Sequence, residues 1–428
     1  MTAMQAPRGM RDLLPGDVEQ WQAVEAAVHD LAGRWGFREI RTPVVEHTEV
    51  FQRTAGEDTD LVSKEMYTFV DRGGRSLSLR PEGTAPVMRA YLEHGLQQGP
   101  QPGKFYYVAP MFRYDRPQKG RYRQHVQFGA EIIGTPHPAA DAEVLTLPVR
   151  LLQALGLTEV EVRLNSVGDA ACRPQYLAAL RDYFNTRLEE LCEDCRHRVD
   201  RNPLRVLDCK RPGCQRVVHD APTVFSFLCD DCRRHFDGVK RHFDLLQVRY
   251  VIDPFIVRGL DYYTRTAAEV FSGRLGAQNA MFGGGRYDGL AQQLGGPSTP
   301  GVGFGFGLDR LLIVLEQEGL ARPVDRSAEV CVVTMGETAR IEGVRLLDEL
   351  RAAGIRAEGD LLDRPARAQM KHADRLRARY ALVVGESELA AGTVTLREMS
   401  SGEQTPLVRA EAVSALRGRL RTETTGRL

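Results

Sequence analysis

The 428-residue chain has no excess of charge of either sign: Lys plus Arg and Asp plus Glu each number 57. No global basic field advertises a polyanion partner, so any such surface has to be local. Long apolar runs are missing as well. No stretch approaches the roughly 18 apolar residues of a membrane-spanning helix, and no membrane association is expected. The first residues, MTAMQAPRGMRDLLP, lack an apolar core behind a basic head and do not read as a secretory signal. Internal repeats and low-complexity runs are absent too. What remains, 43% apolar and 27% charged, is the composition of a globular chain long enough for two or three domains. The expectation is a cytoplasmic protein whose eight cysteines stay reduced, so clustered ones point to metal rather than disulfides.

Residues 17–35 place Trp21, Val24, Val28 and Leu31 at the spacing of an amphipathic helix. FREIRTPVVEH follows as extended chain, and Pro43 within it marks an edge strand or an element end. Extended segments recur at MYTFV, LSLRPE, KFYYVAPMF and HVQFGAEIIG, interrupted by helical stretches at 83–94 and 138–155. This is mixed α+β with hairpin-connected strands. Between about 170 and 250 the character changes to Arg- and Cys-rich text, after which VRYVIDPFIVRGLDYYT reads as strand again; an insertion explains that better than a boundary. The boundary itself is placed in the polar linker LARPVDRSAEV. Residues 1–325 then form one domain, with the insertion at about 170–250, and residues 326–428 a small α/β domain. The order expected there is strand (VCVVTM), helix (337–353), strand (IRAEGDL), helix (364–379), two strands (YALVVG, GTVTLREM) and a final helix.

Four segments carry chemistry. In FRYDRPQKGRYRQHVQF (112–128), Arg113, Arg116, Lys119, Arg121 and Arg123 crowd the loop of a long hairpin, far more cations than a turn needs. Gln127 and Glu131 share one strand face, opposite Val126, Phe128, Ala130 and Ile132, which suggests a lined pocket. Arg113 could reach that pocket, where a guanidinium pairs bidentately with phosphate. In GVGFGFGLDR (301–310), glycine alternates with apolar residues, giving a strand with one bare face on which a flat base could lie, capped by Arg310. RGLDYYTRT (258–266) offers Arg258, Tyr262 and Tyr263. As a regular strand it would point Arg258 and Tyr263 to opposite faces, so a shared site needs Gly259 to break the pleat. FGGGRYDGL (282–290) carries Tyr287 behind three glycines, too costly in backbone entropy to be filler, which let a substrate press on main chain.

Together these segments resemble the histidyl-tRNA synthetase family of class II aminoacyl-tRNA synthetases, over essentially the whole chain. RTPVVEHTEVF looks like class II motif 1, residues 105–133 like motif 2 and GVGFGFGLDR like motif 3. RGLDYYT and GGGRYDGL are similar to the two histidine-specific signatures. The resemblance implies a class II antiparallel-sheet catalytic domain with an inserted subdomain, plus a C-terminal α/β anticodon-binding domain. It implies a homodimer supported by motif 1. It also implies an enzyme that activates L-histidine with ATP and Mg2+, then loads histidine onto its tRNA. By the same likeness Arg113 and Arg258 grip the α-phosphate as catalytic residues, Arg310 packs on adenine or the terminal phosphate, and Arg121 reaches the distal phosphates. Glu82, Thr84 and Gln127 would hold the histidine α-amino group. Glu131 and Tyr263 would read the imidazole, beside Tyr262 and Tyr287. That last pairing suits neutral imidazole, which offers one donor and one acceptor.

A synthetase-like regulatory subunit of ATP phosphoribosyltransferase is the principal rival reading, and it expects loss of the arginine set or of the C-terminal domain. Both are present. In that domain, Arg364, Arg367, Lys371 and Arg375 recur at spacings of three, four and four as a basic stripe, a candidate tRNA contact or a solvated face. A structural zinc site wants four ligands, with the pairs Cys192-x2-Cys195 and Cys229-x2-Cys232 as candidates, although Cys209-x4-Cys214 lies between them. Cys172 and Cys331 read as ordinary buried thiols.

Overall fold

The computed structural model describes residues 4–56, 59–272, 280–325 and 327–425. The chain divides into two compact units between Pro323 and Val324, where the sequence reading placed the change at 325/326.

In the first unit the strands run β1 (Arg38–Glu39), β2 (Val45–His47), β3 (Tyr67–Val70), β4 (Ser76–Leu79), β5 (Gly103–Phe112) and β6 (Gln124–Ile133). They continue with β7 (Val160–Ser166), β8 (Tyr250–Ile252), β9 (Thr264–Ser272), β10 (Ala280–Arg286) and β11 (Gly301–Gly307). Eight of them form one sheet in the order β1-β5-β6-β11-β10-β9-β7-β8, and β2-β4-β3 form a small second sheet. Pro43 lies where the chain leaves β1 and enters β2, and both are edge strands. That is where a residue without an N–H donor does no damage.

The large sheet has two unlike faces. Phe128, Ala130 and Ile132 of β6 and Val302, Phe304 and Phe306 of β11 pack on the helices Asp17–Arg34 and Pro138–Ala154 in the main apolar core. The alternate residues of the same strands, Gln127 and Glu131 with Gly303, Gly305 and Gly307, face the other way. A period-two pattern thus supplies both a hydrophobic layer and a polar floor.

The insertion between β7 and β8 is helical among the described residues. Its helices Arg173–Asn185, Glu193–Arg201, Pro212–His219 and Asp230–Leu245 enclose a core of their own around Tyr176, Leu180, Phe184 and Val199. One expectation fails here. Residues 250–264 are not one strand: β8 stops at Ile252, and 253–263 form irregular chain before β9 begins. Asp253 and Pro254 end the ladder, the aspartate bonding the Phe255 amide (3.1 Å).

The second unit is a five-stranded sheet in the order β13-β12-β14-β15-β16. Its strands are β12 (Val330–Thr334), β13 (Ala357–Gly359), β14 (Tyr380–Val384), β15 (Thr393–Glu398) and β16 (Gln404–Val408). The last of these and a short helix, Glu386–Ala391, were not expected; Pro406 and the exposed alternate residues of β16 hide an edge strand from sequence reading.

Candidate functional site

The polar face of the large sheet forms one side of a cavity of about 290 Å³. Arg113, Arg121, Arg258 and Arg310 line it together with Glu82, Thr84, Gln127, Tyr262 and Tyr263. Segments from Glu82 to Arg310 thus converge on one volume that carries guanidinium, carboxylate and hydroxyl groups.

Each arginine is held differently. Arg113 closes β5, and its Nε donates to the Pro81 carbonyl (2.8 Å). Arg121, half exposed in the hairpin loop, pairs with Asp115 (3.3 Å). Arg310 donates to the Ala280 carbonyl. Burial lowers the Arg310 pKa, and the neighbouring Arg121 lowers it further. Arg258 is ion-paired to Glu269 on β9, and its Nε is buried with no acceptor among the described residues.

The irregular 253–263 segment explains how Arg258 and Tyr263 share the cavity. With no pleat to alternate them, the Arg258 guanidinium lies 5.9 Å from the Tyr263 ring centroid. Gly283, Gly305 and Gly307 line the cavity, and the glycines have a second use that was not expected. A Cβ at Gly283 would overlap the Arg258 guanidinium, and one at Gly284 or Gly285 would strike the backbone of β11 or β9. Likewise, a Cβ at Gly303 would strike the Glu131 carboxylate, at Gly305 the Gln127 amide and at Gly301 the Tyr287 ring. The bare face of β11 is therefore largely filled by side chains from its neighbours. Of the β11 glycines only Gly305 and Gly307 border the cavity, and since Gln127 occupies the space over Gly305, the open place for a base is at Gly307 and not along the whole strand.

The carboxylate side is built on a helix start. Glu82 accepts from the backbone amides of Thr84 (2.7 Å) and Ala85 (2.9 Å), capping the helix Thr84–Glu93. Burial nonetheless raises its pKa above the ordinary glutamate value, since those two amides and Arg113 offset only part of the desolvation. Glu131 and Tyr287 are not among the residues that line the cavity; they lie buried beneath it, joined to its wall through Thr84. Glu131 is fully buried, accepts from the hydroxyls of Thr84 (2.9 Å) and Tyr287, and lies 3.4 Å from the Tyr107 hydroxyl. Burial pushes it up to about 8 in spite of those donors. Tyr262 bridges the aromatic wall, its ring 4.7 Å from Tyr263 and 5.9 Å from Tyr287.

Sequence reasoning missed several groups here. Tyr107 inserts between Gly83 and Gly129, where any Cβ would meet its ring, and its hydroxyl lies 3.4 Å from both Gln127 and Glu131. The signal was available: Gly129 is the gap between Gln127 and Glu131 on the polar face of β6, directly opposite Tyr107 of β5. His125 lines the cavity beside Arg113 and Arg310, and burial with those two cations lowers its pKa to about 3. Glu65 and Asp115 add carboxylates to the rim. Of the other loop cations, Arg123 stacks on the Tyr114 ring (3.6 Å), while Arg116 and Lys119 are exposed.

The cysteines regroup. Cys192 and Cys195 join Cys209 and Cys214, whereas Cys229 and Cys232 join Cys172 and Asp169; within each set the donor atoms lie within 4.8 Å of one another. The quartet of Cys192, Cys195, Cys229 and Cys232 does not form, and Cys172 is not an isolated thiol. The physical reason is the fold of the insertion. Residues 204–219 bring Cys209 and Cys214 back onto the first pair, and the helix Asp230–Leu245 carries the second pair to the end of β7. In the second unit the helix is Ala366–Arg375, shorter than 364–379. Arg367, Lys371 and Arg375 are exposed along it, but Arg364 precedes it and is tied to Asp360.

The histidyl-tRNA synthetase family profile matches residues 9–311, and an anticodon-binding domain profile matches residues 329–419. A histidine–tRNA ligase of Pelotomaculum thermopropionicum is 52% identical over 93% of this chain and 94% of its own length. One of Caldanaerobacter subterraneus is 48% identical over 96% and 99%. The crystal structure of the Staphylococcus aureus histidyl-tRNA synthetase superposes with a TM-score of 0.82 at 39% identity, covering 97% of this chain and all of that one. A Bacillus halodurans protein named as an ATP phosphoribosyltransferase regulatory subunit/histidyl-tRNA synthetase shares the fold, with a TM-score of 0.61 at 21% identity. Fold alone therefore does not separate a charging enzyme from a regulatory relative.

Proposed function

The chain belongs to the histidyl-tRNA synthetase family, and from that premise we propose how its residues divide the work of a histidine–tRNA ligase. The enzyme forms histidyl-adenylate and pyrophosphate from L-histidine and ATP, then passes histidine to the 3′ end of its tRNA. The observation that carries the assignment is the single cavity that brings an arginine cluster together with carboxyl and hydroxyl groups.

Arg113 and Arg258 hold the α-phosphate. As the histidine carboxylate oxygen bonds to α-phosphorus, the P–O bond to pyrophosphate breaks, and charge on the remaining oxygens must be held at five-coordination. The unsatisfied Arg258 Nε supports this, since a buried donor without an acceptor fits an incoming anion. Arg121 faces the distal phosphates, to which magnesium is bound when ATP enters as its magnesium salt; Asp115 and Glu65 are the carboxylates on that rim. Arg310 lines the same cavity as Gly307, where adenine has room. Glu82, Thr84 and Gln127 hold the α-ammonium. Tyr263 and Glu131 read the imidazole against Tyr262 and Tyr287; since the Glu131 oxygens already accept from Thr84 and Tyr287, an imidazole N–H engages Glu131 by displacing one of those donors.

Two further assignments rest on separate observations. The chain pairs as a homodimer through the β2-β4-β3 sheet, where Val44, Val45, Phe69 and Val70 are exposed and apolar. Cys192, Cys195, Cys209 and Cys214 hold a structural zinc: the Cys192 and Cys209 sulfurs are 4.0 Å apart, against about 3.8 Å across a tetrahedral zinc–thiolate site. Among the described residues no helix is long and apolar enough to cross a membrane; we place the enzyme in the cytoplasm, where tRNA and ATP are both at hand. ATP–pyrophosphate exchange across a panel of amino acids tests the reading. Histidine alone should support exchange, and histidine should then appear on tRNA; exchange with another amino acid, or none with histidine, would overturn it.

A further inference from the structure

The second cysteine set is not a by-product of the first. It combines Asp169-x2-Cys172 with Cys229-x2-Cys232, two knuckles of identical spacing, each closing on a helix N-terminus: Arg173–Asn185 and Asp230–Leu245. Counting cysteines alone hides this pairing, because one ligand position is an aspartate. The distances are those of a four-coordinate site. The Cys172 and Cys232 sulfurs are 3.8 Å apart, and Cys172 Sγ is 3.6 Å from Asp169 Oδ1. Around a tetrahedral zinc with bonds of about 2.3 Å to sulfur and about 2.1 Å to oxygen, the expected separations are about 3.8 and about 3.6 Å. Cys229 Sγ is 4.0 Å from the same carboxylate oxygen.

The surroundings also suit a metal. Asp169 turns Oδ1 toward the sulfurs while Oδ2 accepts from Arg265 Nη2 (3.3 Å), which fixes the carboxylate and offsets the charge of three thiolates. Arg173 donates to the carbonyls of Val167 (2.9 Å), Gly168 (3.1 Å) and Tyr263. The Arg265 amide bonds the Gly168 carbonyl (2.7 Å), and the Val167 amide bonds the Arg265 carbonyl (2.7 Å). Arg265 holds φ 51°, a left-handed conformation that a non-glycine residue keeps only when its surroundings enforce it. The cluster therefore sits where the insertion, the end of β7 and the start of β9 meet, just beyond Tyr263.

We propose that Asp169, Cys172, Cys229 and Cys232 bind a second zinc, separate from the four-cysteine site, that clamps the insertion to the loop carrying Arg258 and Tyr263. Zinc fits three thiolates and one carboxylate, where calcium and magnesium demand oxygen. Binding replaces the protons of three thiols by one divalent ion, and the fold energy of the junction becomes metal-dependent.

Full-length chain purified without chelators should carry about two zinc ions, and Cys195→Ser with Cys209→Ser should leave about one. X-ray absorption on that variant should report about three sulfur ligands and one oxygen, since only the mixed site remains. Cys172→Ser with Cys232→Ser should likewise remove about one zinc while keeping an all-sulfur environment. Asp169→Ala spares every cysteine, so it guards against misfolding: it should release one zinc to a competing chelator at least tenfold more readily, and speed hydrogen exchange at the Val167 and Arg265 amides. A wild-type content of about one zinc that disappears with Cys195→Ser and Cys209→Ser would overturn the second site and leave the first standing. A Cys172–Cys232 disulfide in the isolated chain, or Asp169→Ala chain that holds its zinc unchanged, would overturn it as well.

Discussion

The catalytic cavity and the cysteine-rich insertion both assemble residues distant in sequence, but by different devices. The cavity is assembled by register. Once β5, β6, β10 and β11 are paired, every second residue must face the polar side, and glycine on one strand leaves space for a large group on the next. Glu131 opposite Gly303 and Tyr107 opposite Gly129 are the clearest cases. The insertion has no such ladder. The helices between its two long ones are short, and which pair of knuckles meets which depends on how those intervening helices turn. The lesson is that periodic structure propagates information along the chain, while a set of short helices closed by side-chain clusters does not.

Arg258 comes from irregular chain and yet completes the register-built cavity. Arg258→Ala should lower kcat for pyrophosphate exchange by on the order of 10² to 10³, the scale of one lost transition-state donor, with far smaller changes in KM. Arg258→Lys should rescue only part, because an ammonium lacks the bidentate fork. Wild-type exchange in Arg258→Ala, or a defect confined to KM, would return Arg258 to a structural role as the partner of Glu269.

A smaller loss is expected beneath the cavity. Glu131→Gln keeps the shape but replaces with an amide the carboxyl group that Thr84 and Tyr287 now serve. Histidine kcat/KM should fall by roughly 5- to 150-fold, equivalent to about 1–3 kcal/mol, while the KM for ATP stays put. Tyr263→Phe should behave in the same direction. Steady-state exchange kinetics with each substrate varied decide the matter, and a defect in ATP alone would refute the pocket assignment.

His125 sharpens the contrast through pH. Its pKa in the folded chain is about 3, below the ordinary 6.5, so the unfolded chain takes up a proton that the folded one refuses. Protonation therefore favours unfolding. The stability tied to neutral His125 is complete above about pH 6.5 and is lost as pH falls toward about 3. His125→Gln should make urea-unfolding free energy fall less steeply over that window. An unchanged slope would mean that other groups govern the acid limb.

The smallest effect is expected from the second unit. Neutralising Arg367, Lys371 and Arg375 should flatten the salt dependence of tRNA binding by up to roughly one unit of slope per lost phosphate contact and leave adenylate formation intact. Adding Arg364→Gln should change nothing more, because Arg364 already serves Asp360. Unchanged affinity at moderate salt in the triple variant would leave the helix as solvated surface.

By itself the sequence determined the strands of the cavity, the face each residue shows, and the chemistry of the arginine and carboxyl groups. Alternation of Val126, Phe128, Ala130 and Ile132 with Gln127 and Glu131 is a local property of an extended chain, and so are the glycines of β11. Only the tertiary structure decided what those glycines accommodate, that Tyr107 occupies the gap at Gly129, and that Arg258 turns toward Tyr263. It alone divided the cysteines into two sets, brought in Asp169, and set Arg364 apart from its stripe. Periodicity reports the orientation of a side chain relative to its own backbone. Which atom it meets depends on the packing of elements joined by long connections, and no local pattern encodes that distance.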